Sequence, residues 1–124
     1  MRLLLDTNAV IHIRQDWQGF APSTRDLLED PANTVYFSST SASEIAIKTS
    51  TGKLGIPAHE MTNALATQGW TELPFTVRHA EKMFQLPGLH KDPFDRMLIA
   101  QALAEGLPVV TTDRIFAAYG VQVI

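Results

Sequence analysis

MRLLLDTNAV, residues 1–10, is the stretch on which the fold turns. Leu3, Leu4 and Leu5 form an unbroken apolar run, the pattern of a short strand covered on both faces. The run stops at Asp6-Thr7-Asn8, and Ala9-Val10-Ile11 resumes it at once in a segment that reads as helical to about Arg14. A carboxylate therefore stands where a buried strand hands over to a helix. In open parallel sheets ligands bind at that junction, beyond the carboxyl ends of the strands.

Strands and helices alternate along the rest of the chain. Pro22 to Glu29 reads as a helix with proline in its first turn, and Asp30-Pro31-Ala32-Asn33 as a turn. Val35-Tyr36-Phe37 is a β-rich run, Ala42 to Lys48 a helix closed near Gly52, and Pro57 to Gln68 a helix ended by Gly69. A short strand lies within Trp70 to Phe75, a helix over Val77 to Phe84, and a turn at Leu86-Pro87-Gly88. Pro93 to Glu105 is the clearest helix, with Gly106 at its C-terminal end. Val109-Val110-Thr111 is a strand, Ile115 to Tyr119 a helical turn, and Val121 to Ile124 a last strand. This alternation predicts an α/β domain, a three-layer α/β/α sandwich on a short, mostly parallel sheet. The 124 residues fit one domain spanning 1–124.

Bulk properties narrow the function. There is no cysteine, and a chain of this size buries roughly two thirds of its unfolded surface without disulfides. No apolar run approaches the ~18 residues of a membrane span, and the short apolar stretch before Asp6 does not make a signal peptide. A cytoplasmic protein is the expectation. The net charge of −3 speaks against a strongly basic nucleic-acid coat. It leaves room for an enzyme that engages nucleic acid locally, because acids that hold a cation make the formal charge misleading. There is no zinc-spaced His/Cys set, no P-loop and no dinucleotide glycine pattern. Ser38, Ser39 and Ser41 have no histidine near them in sequence to activate a nucleophile.

Four carboxylates stand at element boundaries: Asp6 after the first strand, Glu44 early in a helix, Asp95 in HKDPFDRMLIAQA, and Asp113 in VVTTDR. Each has an ordinary reading. Asp6 and Asp113 suit helix caps or Asx-turns. Glu44 completes a Ser41-x-x-Glu44 capping-box pattern, and Asp95 in a first turn favours the helix dipole. Together they mean more. Strand ends and helix starts share one rim of a parallel α/β sheet, and neighbouring first and fourth strands bring the acids together. Two carboxylates about 5 Å apart at an effective dielectric of ~20 repel by roughly 3 kcal/mol. A hard divalent cation with oxygen ligands resolves that repulsion, and such an ion serves phosphodiester hydrolysis.

The ordered set LLLDTNAVI, SSTSASEIAIKTSTGKL, HKDPFDRMLIAQAL and VVTTD resembles the PIN-domain ribonucleases, above all the toxin component of VapBC-type toxin–antitoxin pairs. The resemblance spans essentially the whole chain. It implies that Asp6, Glu44, Asp95 and Asp113 form the family's acidic quartet. Asp6 and Asp95 are then direct ligands of Mg²⁺ or Mn²⁺, while Glu44 and Asp113 complete the shell or orient water. Asn8 and Thr112 match polar positions that steady ligand carboxylates. It further implies a metal-dependent endoribonuclease acting on structured RNA, a homodimer, and inhibition by a cognate antitoxin. One departure is Ser43, where a tryptophan often precedes the second acid in similar sequences.

Other residues carry competing readings. Asp92 is an N-cap by its Asp-Pro sequence and a further site acid by its nearness to Asp95. Lys48 has ion-pair spacing from Glu44 and equally suits an RNA phosphate. Lys53, Lys91, Arg96 and Arg114 read as solvated charges near the acids, with contact to RNA phosphates as the alternative, and His90 as an exposed loop residue, with contact to substrate as the alternative. Met83, Phe84 and Leu86, like Trp17 and Phe20, read as core; any that is exposed marks an antitoxin or dimer surface. Three alternative functions stand beside the nuclease. A phosphoryl-transfer enzyme with Asp6 as nucleophile lacks its expected Asp-x-Asp, because position 8 is asparagine. A metal-stabilised module that binds RNA or protein without catalysis is the second, and a DNA nuclease the third.

Overall fold

The computed structural model describes the backbone of residues 1–124 and every side chain except that of residue 58. The strands are β1 (Arg2–Leu5), β2 (Thr34–Ser38), β3 (Thr71–Leu73) and β4 (Val109–Val110). The helices are α1 (Thr7–Gln15), α2 (Pro22–Glu29), α3 (Ser39–Ser50), α4 (Ala58–Thr67), α5 (Val77–Phe84), α6 (Pro93–Glu105) and α7 (Ile115–Ala118), with a 3₁₀ turn at Trp17–Gly19. The strands form one sheet in the order β3-β2-β1-β4, parallel throughout.

Period-two alternation sorts the core into two layers. Leu3 and Leu5 of β1, Val35 and Phe37 of β2 and Val110 of β4 face one side. They meet Ala9 and Val10 of α1, Leu28 of α2, Ile45 of α3, and Met61 and Leu65 of α4. Leu4 and Val109 face the other side, against Leu98, Ile99 and Ala102 of α6 and Phe116 of α7. All three leucines of β1 are completely buried, so the apolar run is the spine of an α/β/α sandwich. Among the described residues, no helix is long and apolar enough to cross a membrane.

The acids depend on β1 and β4 being neighbours. Leu4 pairs with Val109 and Leu5 with Val110, and the Asp6 N–H continues the ladder to the Val110 carbonyl at 3.2 Å. Helix α6 is bounded as its sequence punctuation requires. Asp92 caps it by accepting from the Phe94 and Asp95 N–H groups at 2.9 and 3.1 Å, Pro93 opens it, and Gly106 closes it in the left-handed region at φ +68°.

Two expectations are corrected. Helix α3 begins at Ser39, and its cap is Ser38, whose hydroxyl accepts from the Thr40 N–H at 3.0 Å. Ser41 is therefore a buried residue inside the helix, and Ser41-x-x-Glu44 is no capping box. Four hydroxyl residues in a row make each a candidate cap; the one ending β2 takes the role. Val121 to Ile124 makes a single parallel bridge, Val109 to Val123, and no strand.

Trp17 and Phe20 pack on the core, edge to face with each other, as expected. Leu86 packs partly against the other layer, whereas Phe84 is 91 % exposed.

Candidate metal centre

Asp6 is placed by the end of β1 and the start of α1. Its side chain caps α1, accepting from the Ala9 N–H at 2.7 Å. Burial pushes its carboxyl from 3.8 up to about 6; the Thr111 hydroxyl and the Ala9 N–H oppose that rise, and the charges of Asp95 and Asp113 add to it. Asp95, in the first turn of α6, is also raised, first by burial and then by the charges of Asp92 and Glu44, against a hydrogen bond with His90. The acids from β1, α3, α6 and the β4 end thus act on one another electrostatically, as convergence on one rim demands.

Glu44 projects from the second turn of α3 and is 6 % exposed. Its Oε2 meets Lys48 Nζ at 2.6 Å, a bond that raises the lysine further above its ordinary range. Its Oε1 is buried and, among the described residues, has no hydrogen-bond partner. An orphaned carboxylate oxygen in a buried position is costly. Asp113 is exposed at the end of the β4 segment. It accepts from the Ile115 N–H at 3.0 Å, and its own N–H donates to Thr111 Oγ1 at 3.0 Å.

His90, Asp95 and Asp113 each offer a donor atom, and the three atoms lie within 4.8 Å of one another. Asp6 and Glu44 stand outside that tight group. Asp92 is spent on its cap, though its charge reaches Asp95 and Lys48. Asn8 and Thr112 line a cavity of about 170 Å³ beside Asp6, with His12, Phe20 and Ile124. The hydroxyl that reaches Asp6 is that of Thr111, next to the predicted Thr112. The donor set suits a hard or borderline divalent cation, and Glu44 Oε1 is an oxygen still owed a partner.

His90 corrects the expectation of a solvated loop histidine. Its Nε2 lies 2.9 Å from Asp95 Oδ2, and its N–H donates to Tyr119 Oη at 2.9 Å. Arg96 likewise turns inward, donating to the Pro87 carbonyl at 3.0 Å and to Tyr119 Oη at 3.1 Å. Both hold the loop before α6, whereas Lys53, Lys91 and Arg114 are exposed.

Two buried hydrogen bonds behind the acids were not foreseen. Thr7, next to Asp6, donates to Ser41 at 3.0 Å, tying α1 to the helix that carries Glu44. Ser38 donates to Gln101 Oε1 at 2.5 Å, tying the start of α3 to the helix that carries Asp95. The one sequence signal was Gln101 itself, a lone amide in the apolar run MLIAQALA.

With the α/β/α sandwich and its acidic rim described, family comparison places the chain. Residues 3–122 match the PIN domain model, and the chain belongs to that family. Among solved structures it is similar to VapBC2 from Rickettsia felis bound to a promoter DNA fragment, with a TM-score of 0.77, 18 % identity, and coverage of 100 % of this chain and 98 % of that one. It is also similar to FitAcB from Neisseria gonorrhoeae (TM-score 0.65, 26 % identity, 98 % and 96 % coverage) and to DNA-bound VapBC from Salmonella typhimurium (TM-score 0.73, 19 % identity, 100 % and 97 % coverage). These matches bear out the resemblance to VapC-type PIN domains. No curated protein matches the chain.

Proposed function

We propose that this chain is a single-domain, divalent-metal-dependent endoribonuclease and the toxin of a toxin–antitoxin pair. The observation that carries the reading is Glu44 Oε1, buried with no hydrogen-bond partner among the described residues, on the rim where the charges of Asp95 and Asp113 bear on Asp6 and that of Glu44 on Asp95. Asp6, Glu44, Asp95 and Asp113 are the residues that would hold Mg²⁺ or Mn²⁺. When bound, such an ion supplies positive charge that offsets charge developing on a phosphodiester, and it acidifies water. The chain's own part is positioning. Asp6 is locked by the α1 cap, Asp95 by His90, and Glu44 by Lys48, whose ammonium neutralises one side of the carboxylate. The substrate is RNA and the assembly a homodimer. The partner is a cognate antitoxin, in keeping with similarity to VapBC2 and FitAcB.

Incubation of the purified protein with total RNA, tRNA and single-stranded DNA tests this. New RNA ends are expected with Mg²⁺ or Mn²⁺. They should vanish with EDTA, and fall by at least about 100-fold in Asp6→Asn and Asp95→Asn. RNA retention without new ends across metals would make the chain a binding module, cleavage confined to DNA would change the substrate, and a phosphoryl group trapped on Asp6 would make it a transferase.

A further inference from the structure

We infer that His90, with Asp95 and Asp113, forms a nitrogen-bearing position for a first-row transition-metal dication, which the protein takes in preference to Mg²⁺. The inference rests on the reading of the acids as a metal centre and adds to it a ligand and a metal class. One nitrogen of His90 and one carboxylate oxygen each of Asp95 and Asp113 lie within 4.8 Å of one another. Donors bound to one ion at about 2.1–2.2 Å stand no more than about 4.4 Å apart across it. The trio therefore stands near that span, and side-chain settling would bring its atoms onto a shared ion.

Glu44 stands outside the trio but bears on it. Its side chain is 6 % exposed, its Oε1 is buried with no hydrogen-bond partner among the described residues, and its charge bears on Asp95.

The loop that presents His90 is built to hold it. The His90 N–H is bonded to Tyr119 Oη at 2.9 Å, and that hydroxyl donates to the Pro87 carbonyl at 2.9 Å. Arg96 bridges Pro87 and Tyr119 from α6. These bonds fix the backbone from which the imidazole projects. Nε2 faces Asp95 at 2.9 Å. A ligating imidazole is neutral, with Nε2 on the metal and the ring's N–H on Nδ1.

The chemistry sets the metal class. Imidazole suits Zn²⁺, Ni²⁺, Fe²⁺ and Cu²⁺; Mn²⁺, largely an oxygen-site ion, accepts a mixed nitrogen and oxygen set more readily than Mg²⁺, which prefers an all-oxygen octahedron that keeps several waters.

Mn²⁺ bound to the full chain, read by pulsed electron paramagnetic resonance, tests the assignment without reference to activity. A ¹⁴N modulation is expected in the wild type and in His12→Gln, whose histidine lines the neighbouring cavity, and it should be lost in His90→Gln. Competition should show the preference for Mn²⁺ over Mg²⁺ reduced roughly tenfold in His90→Gln. Bound Mn²⁺ without nitrogen modulation, or modulation that persists in His90→Gln, overturns this inference and leaves the acidic centre standing. No Mn²⁺ bound to the wild type overturns both.

Discussion

Asp6 shows how much a single residue carries at this rim. It is the N-cap of α1, accepting from Ala9, and a buried acid whose carboxyl is pushed up to about 6. The folded chain therefore holds that proton more tightly than the unfolded chain, whose ordinary value is 3.8. With the folded value raised, the group costs nothing below about pH 4, destabilises increasingly as pH rises towards 6, and keeps its full cost above that. The size of the cost is on the order of 3 kcal/mol. Asparagine caps a helix as well as aspartate does and carries no charge. In EDTA, Asp6→Asn is thus expected to raise the thermal midpoint at pH 8 by several degrees, with the gain gone near pH 4. Added Mn²⁺ should raise the wild-type midpoint and move the variant far less. A variant less stable than wild type at pH 8 would contradict the account. Asp6 was legible because it interrupts an apolar run. Thr111 and His90 were not, because nothing in VVTTDR or LHKDPFDR says which threonine reaches Asp6 or which way the imidazole turns.

Elements were legible where the chain punctuates them. Asp92, Pro93 and Gly106 bound α6 at the predicted residues, and Pro22 opens α2 as expected. Helix α3 began earlier than expected because Ser38-Ser39-Thr40-Ser41 offers four caps in a row, and burial against other elements chooses among them. What escaped the sequence is how elements are joined. Thr7 with Ser41 and Ser38 with Gln101 are 34 and 63 residues apart, so no local pattern announces them. Gln101 also donates to the Leu73 carbonyl at 3.3 Å, so one buried amide links α6, β3 and the α3 cap. These bonds fix where α3 holds Glu44 relative to Asp6 and Asp95. Ser38→Ala leaves Gln101 Oε1 without its donor, and Gln101→Leu leaves the Ser38 hydroxyl without its acceptor. Each is expected to cost about 1–3 kcal/mol. The double variant should cost less than the sum, by about 0.5 kcal/mol or more, since the pair is lost only once. Each single variant should also raise the Mn²⁺ concentration needed for half-maximal thermal stabilisation. Additive losses with an unchanged metal response would reduce the pair to ordinary core polarity.

For the whole molecule, the sheet order matters most. Placing β1 beside β4, with α3 and α6 starting on the same rim, gathers Asp6, Glu44, Asp92, Asp95 and Asp113 from across the chain. Strand alternation and the acids' boundary positions made that gathering foreseeable, although the two-residue length of β4 and the reduction of Val121 to Ile124 to one bridge were not. On the proposed reading, a rim so acidic receives cations of two kinds. A metal ion is one; an arginine, whose planar fork makes paired hydrogen bonds to carboxylates, is the other. If the proposed antitoxin offers an arginine to this rim, ion and peptide draw on the same oxygens, so each weakens the other's binding by the same factor. Inhibition of RNA cleavage by the cognate antitoxin should then weaken as Mg²⁺ is raised. Asp6→Asn and Asp95→Asn should bind the antitoxin more weakly even without metal, by roughly tenfold or more for each lost charge-assisted pair. A calorimetric titration of antitoxin into wild type and variants, repeated across Mg²⁺ concentrations at constant ionic strength, separates this competition from general screening. Affinity indifferent to Mg²⁺ and undiminished in both variants would place the antitoxin away from the acids, where it acts by barring RNA from the rim.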